Sequence, residues 1–170
     1  MGKVVPFEEL CRMRPRWRSE GKVVVFTNGC FDLLHVGHIR SLQDAAQLGD
    51  ILIVGLNSDL SVRRLKGEGR PLQNETSRGA LIAAMRGVDY VCFFDELSAD
   101  RALKELQPDI HAKGTDYTRE SVPERDTVLG YGGKVAITGD PKDHSSKDLI
   151  REIRSRFKQS DFDAAEPAGE

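Results

Sequence analysis

The chain has 170 residues, enough for one domain with a single sizeable core. Its 39% hydrophobic and 31% charged residues suit a globular protein, and a net charge of −2 gives no overall attraction to nucleic acid or anionic membrane. No apolar run approaches the length of a bilayer span and MGKVVPFEEL lacks a signal-peptide core, so a cytoplasmic location is expected. Cys11, Cys30 and Cys92 show no CxxC spacing, which argues against a disulfide framework or a zinc knuckle.

In chain order, RMRPRWR (residues 12–18) is a basic patch with one tryptophan, read as a solvated face rather than a nucleic-acid surface. The β-branched run at 23–26 predicts a strand. A helical pattern follows in which Leu34, Ile39, Leu42, Ala45 and Ala46 share a face. Residues 51–54 form a second buried strand. Residues 74–86 read as a helix, with Asn74 as N-cap and Leu81, Ile82 and Met85 in helical spacing. A third strand spans 90–94, and a helix opening at Ser98 carries Leu103 and Leu106 until Pro108 stops it. Residues 109–112 make a fourth strand. SVPE (121–124) has capping-box spacing for a helix ending at Gly130, and 135–137 is a fifth strand. A final helix from about Ser145 carries Leu149, Ile150, Ile153 and Phe157. This divides the chain into an N-terminal helical extension (1–21), one α/β domain (22–158) and an acidic tail (159–170) expected to be disordered.

Strands alternating with helices imply crossover units and a parallel five-stranded sheet with helices on both faces. Ligands collect beyond the carboxyl ends of such strands. Those ends carry Asn28-Gly29, Asn57-Ser58-Asp59, Asp95, the stretch KGTDY (113–117) and Gly139-Asp140, all polar or glycine against apolar strands. The first leads into TNGCFDLLHVGH (27–38), where His35 and His38 stand three residues apart. Metal, core packing and phosphate compete to explain the pair. A catalytic zinc normally takes three protein ligands and the chain has no HExxH, so no metal site is expected. Packing accounts for one histidine better than for two. Phosphate fits best: Gly29 permits a tight turn and Gly37 a close backbone approach. A helix starting near His35 turns free N–H groups and its positive end to an anion, with both histidines on one face. No GxxxxGK[ST] loop and no GxGxxG follows the first strand.

GCFDLLHVGH (29–38) resembles the GxFDxxHxGH pattern of the cytidylyltransferase-like nucleotidyltransferase superfamily. Within it, VFTNGCFDLLHVGH, LIVGLNSDLSVRRLKGEGRPL, RGVDYV and KGTDY are most similar to heptose 1-phosphate adenylyltransferases, and the likeness runs from about Val24 to Ile153. The resemblance implies a Rossmann-like fold and transfer of a nucleoside monophosphate, AMP from ATP, to a heptose 1-phosphate with release of pyrophosphate. Such a reaction needs in-line positioning and neutralised phosphate charge, with Mg²⁺ held mainly through the triphosphate. The expected partners are a nucleoside triphosphate and a sugar phosphate, not nucleic acid or membrane; relatives often form homodimers. The rival readings are a cytidylyltransferase for glycerol phosphate or another phosphorylated alcohol, and a nucleotide-binding module that has lost activity.

Carried over by position, the resemblance implies that His35, His38 and Lys66 act on the phosphates. Asn28, Gly29, Phe31 and Gly37 would shape the nucleotide pocket. Arg86 and Asp89 match a partly structural motif of that group and would contribute to nucleotide binding, as would Lys113, Gly114 and Asp116 near base and ribose. Cys30, Asp32, Asn57, Asp59 and Tyr117 would face the sugar phosphate. Thr115 stands where the pattern has glycine. HSSKDLI (144–150) replaces a Ser-Thr-Thr helix start: Ser145 and Ser146 keep two hydroxyls for the triphosphate, Lys147 takes the third place, and His144 is read as packing or solvent-facing.

Overall fold

The computed structural model describes residues 1–141 and 145–157. The expectations for His144 and for the tail 159–170 lie outside them. Among the described residues thirteen elements follow in chain order: β1 (Lys3–Val4), α1 (Phe7–Ser19), β2 (Val24–Gly29), α2 (Val36–Ala46), β3 (Ile51–Asn57), α3 (Asp59–Lys66), α4 (Glu75–Ala83), β4 (Tyr90–Phe94), α5 (Asp100–Leu106), β5 (Ile110–Gly114), α6 (Arg125–Gly130), β6 (Lys134–Thr138) and α7 (Ser146–Arg156).

All strand pairs are parallel, in the order β1-β4-β3-β2-β5-β6. The sheet therefore has six strands rather than five. The extra one, β1, is two exposed residues at the edge, too short for any periodicity; it is fixed by Lys3 N–H donating to Asp89 O and Val5 N–H to Val91 O, both at 2.9 Å. From β2 the chain moves to β3 and β4 on one side, then crosses back to place β5 on the other. The switch point is thus the crevice beyond the carboxyl ends of β2 and β5, where an open α/β sheet gathers its ligand.

Period-two alternation sorts each strand between two cores. Val24, Phe26, Ile53, Cys92 and Phe94 pack with α1, α5 and α6 through Leu10, Trp17, Leu103, Leu106 and Val128. Val25, Leu52, Val54, Leu56, Val91 and Ala112 face α2 and α4 through Leu42, Ala45 and Ile82. The basic patch at 12–18 is partly internal. Trp17 is buried, and so is Arg14, which donates to Gln107 O and to Asp109 Oδ1, both at 2.9 Å through Nη2. Pro15 lies within α1, which nevertheless runs on to Ser19.

Capping matches the sequence at two helices, where Asn74 accepts from Ser77 N and Ser145 from Asp148 N; at α3 the cap is Ser58, which accepts from Ser61 N and was not expected. At α6 the expectation changes. The N-cap is Glu124, while Ser121 closes a turn with Thr118, and the Glu124 carboxylate is turned inward. The α5 start also moves, from Ser98 to Asp100.

Candidate active site

The turn after β2 is built around three rings. Phe31 adopts φ 45°, a left-handed conformation rare for an aromatic residue. Its ring lies 5.2 Å from that of His38, which stacks on His35 at 3.8 Å. The glycines make room for these rings. A Cβ on Gly29 would meet Phe31 at 3.0 Å, and one on Gly37 would meet the His35 ring at 3.1 Å. Gly37 therefore admits the neighbouring imidazole, whereas the sequence suggested close approach to a ligand. His35 is the N-cap of α2, and its backbone N–H donates to His38 Nδ1 at 3.4 Å. Val36 and Gly37 open α2 ahead of its first backbone bond, which His38 N–H makes to His35 O at 2.9 Å, so two imidazoles and a helix start converge at the switch point.

Burial pushes the His38 imidazole down to about 4, helped by His35 beside it and opposed by the Asp116 carboxylate. His111, fully buried in β5, is pushed down to about 3 by burial, then by Lys113, against Asp100. A histidine with a lowered folded pKa binds fewer protons folded than unfolded. The resulting penalty is absent above about pH 6.5 and grows as the pH falls towards the folded values. It reaches about 2 kcal/mol per histidine by pH 5. Denaturant midpoints measured from pH 7 to pH 5 are expected to fall accordingly, and a flat profile would reject the assigned neutrality of both rings.

The loop between α3 and α4 is tied to this turn by Asp32. Its buried carboxylate accepts from Arg70 Nε at 2.5 Å, Leu72 N at 2.7 Å and Gln73 N at 3.0 Å. Asp32 thus anchors a loop; its oxygens are engaged by protein rather than turned to a substrate. Asn57 is likewise internal, donating to Ser61 Oγ at 2.9 Å and Glu96 O at 3.2 Å. Asp59 pairs with Arg78 at 2.7 Å. Arg78 is the main element that the sequence reading missed. Fully buried, it donates to Cys30 O, Asn57 O and Gln73 O as well, and so brackets the ends of β2 and β3. The one signal for it was a charged residue on the apolar face of α4, one turn before Ile82.

On the β5 side, Lys113 is buried. Its Nζ lies 3.2 Å from Asn28 Oδ1, 3.5 Å from Glu124 Oε2 and 5.2 Å from the Tyr117 ring centre. Glu124 and His111 belong to this cluster too, and neither was singled out in the sequence. Gly114 ends β5 next to it. Thr115, in place of glycine, donates to Asp140 O at 2.7 Å and ties the β5 and β6 loops together. Cys30 Sγ stands 3.9 Å from Asn57 Oδ1. Burial raises the Cys30 thiol pKa, and Lys66 is the largest influence opposing it, so the exposed lysine ending α3 acts on the same turn as the histidines.

Two sets of residues sit differently from the sequence expectation. Arg86 and Asp89 precede β4, at the amino end of the sheet and opposite the histidines. There Asp89 accepts from Leu52 N at 2.8 Å and aligns the starts of β3 and β4. Ser146 donates to Leu33 O at 2.9 Å, latching α7 to the turn after β2, while the Ser145 hydroxyl is engaged by Asp148; Lys147 is exposed.

A parallel sheet that opens at a switch point, beside paired histidines and a helix start, defines a Rossmann-like α/β fold. More narrowly, the chain belongs to the cytidylyltransferase-like family, whose profile matches residues 26–153. It is 50% identical over 142 residues to the bifunctional protein HldE of Syntrophotalea carbinolica, covering 84% of this chain and 29% of that protein. With the bifunctional protein HldE of Gluconobacter oxydans it shares 47% identity over 154 residues, 91% of this chain and 32% of the relative. The chain thus spans less than a third of the length of these curated relatives. A lipopolysaccharide core biosynthesis protein from Thermoplasma volcanium superposes with a TM-score of 0.61 at 31% identity, over 72% of this chain and all of that one. Pantothenate synthetase from Thermus thermophilus shares the fold alone, with a TM-score of 0.62 at 14% identity over 96% of this chain and 70% of the synthetase. Among the described residues no helix is long and apolar enough to cross a membrane.

Proposed function

We propose that the chain transfers AMP from ATP to a heptose 1-phosphate, releasing pyrophosphate and forming ADP-heptose. The observation that carries this reading is the His35–His38 stack at the start of α2, over the switch point. The HldE relatives and the lipopolysaccharide core biosynthesis protein favour the sugar class.

In this reading the triphosphate lies across the α2 start. The imidazoles donate to oxygens of the α- and β-phosphates, and Lys66 offsets the charge that grows as pyrophosphate departs. The attacking sugar-phosphate oxygen approaches from the β3 side, past Cys30 and Tyr117, with Asp116 toward base and ribose. Asp32, Asp59 and Asn57 shape this pocket through the loops that they hold. The donor set is imidazole and ammonium, with Asp32 and Asp59 already paired to arginines. That chemistry suits a Mg²⁺ ion carried in by the triphosphate, where it would neutralise phosphate charge. Ser146 contributes by latching α7 over the turn.

The test is pyrophosphate release with Mg²⁺, crossing ATP, CTP, GTP and UTP against both anomers of heptose 1-phosphate and glycerol 3-phosphate. Release confined to ATP with a heptose 1-phosphate is the expected result. Preference for CTP with glycerol 3-phosphate would replace this reading by a phospho-alcohol cytidylyltransferase. Nucleotide binding without turnover in any combination would reduce the chain to a binding module.

A further inference from the structure

We infer that His111 is a positioning residue for the phosphate-binding turn: it orients the Asn28 side chain so that the amide Nδ2 donors face the ligand. This rests on the nucleotide reading above. The ammonium of Lys113 can only donate. Its Nζ stands 3.2 Å from one terminal atom of Asn28, so that atom is the carbonyl oxygen, Oδ1. His111 Nε2 lies 3.1 Å from the same oxygen and must therefore carry its proton there. The tautomer is fixed as Nε2–H, and Nδ1 is left a bare acceptor, fully buried without a hydrogen-bond partner among the described residues.

An unpartnered buried acceptor is a cost, and a leucine beside Phe26 would not carry it. The histidine is therefore not there for packing. Its effect is on Asn28, the penultimate residue of the central strand. With Oδ1 held from the β5 side by two donors, the amide plane cannot flip. Its two Nδ2 hydrogens point away from β5, where they meet no acceptor among the described residues. Half-buried at the carboxyl end of β2, they form a donor pair for an anion, added to the imidazoles and the α2 start. Glu124 completes the arrangement. It holds Lys113 at 3.5 Å and accepts from Ala99 N at 3.4 Å, keeping the ammonium against Oδ1.

The test compares His111→Leu with His111→Gln, whose amide nitrogen can occupy the place of Nε2 and restore the donor. Mg-ATP binding is measured by titration calorimetry, thermal midpoints are recorded alongside, and the imidazole nitrogens of the unmodified chain are read by ¹⁵N NMR. The leucine variant is expected to bind Mg-ATP roughly tenfold to a hundredfold more weakly, with a midpoint equal to or above that of the unmodified chain. The glutamine variant should bind close to the unmodified chain, and the NMR spectrum should show Nε2–H. Unchanged binding by the leucine variant, or a glutamine variant as weak as leucine, overturns the inference while leaving the nucleotide reading intact. So does an Nδ1–H tautomer, even where the leucine variant fails to fold. An unmodified chain that binds neither Mg-ATP nor Mg-CTP overturns the nucleotide reading, and the inference with it.

Discussion

Replacing Arg78 with methionine is expected to lower folding stability by about 3–5 kcal/mol. The guanidinium is fully buried. It donates through Nη1 to Cys30 O at 2.6 Å and Asn57 O at 2.8 Å, through Nε to Gln73 O at 3.1 Å, and through Nη2 to Asp59 Oδ1 at 2.7 Å. Methionine fills the volume but leaves three carbonyls and a carboxylate without their donor. Asp59 is partly exposed and can be rehydrated, so most of the cost falls on the three carbonyls, which lose their donors in the interior. The carbonyls of Cys30 and Asn57 lie at and just past the ends of β2 and β3, so the turn carrying the histidines would also lose its bracket. Lysine is not a conservative replacement, because a point charge cannot serve four acceptors in the plane of a fork. Denaturant unfolding of both variants checks this. A loss under about 0.5 kcal/mol for methionine, the range of ordinary surface changes, would show that the bracket carries no weight.

The sheet was legible because strand alternation and helix spacing report burial, and burial is what sorts Val24 and Phe26 from Val25 on opposite faces. The site was legible in outline for a similar reason: glycines and polar residues at strand ends mark where a parallel sheet opens. Partners across long sequence separations were not legible. Asp32 read as a group available to substrate, yet its acceptors are filled by Arg70, Leu72 and Gln73, some forty residues on. His111 and Glu124 read as ordinary strand and cap residues, although the fold packs both around Lys113. Arg86 and Asp89 are a different case. RGVD precedes the strand at Tyr90, so the rule that ligands lie beyond carboxyl ends already placed it on the wrong side; motif likeness outweighed geometry. The α7 hydroxyls show the converse limit. A helix N-terminus with two serines suits an anion, but Ser145 serves Asp148 and Ser146 serves Leu33.

His38→Ala is expected to lower turnover by about 10²–10³, the usual consequence of removing one donor to transition-state charge. The structure supplies the reason that this ring should matter more than its bulk. The His35 backbone N–H reaches His38 Nδ1, which leaves the proton of the neutral imidazole on Nε2, and stacking on Phe31 and His35 holds the ring in place. Such a donor requires little reorganisation when charge develops on the phosphates. The fold is expected to survive, because His38 lies outside both hydrophobic cores, and acid stability should improve because a buried ring of lowered pKa is gone. Lys66→Ala is expected to cost turnover to a similar order, but by a different physical route. Its ammonium is exposed at the end of α3 and acts through space, so its contribution should shrink as salt rises, while that of His38, made by contact in a half-buried turn, should not. Steady-state and single-turnover rates at two ionic strengths separate the two. Near-normal turnover in His38→Ala would reject the donor role, and a salt-independent loss in Lys66→Ala would mean that the lysine touches the phosphates directly.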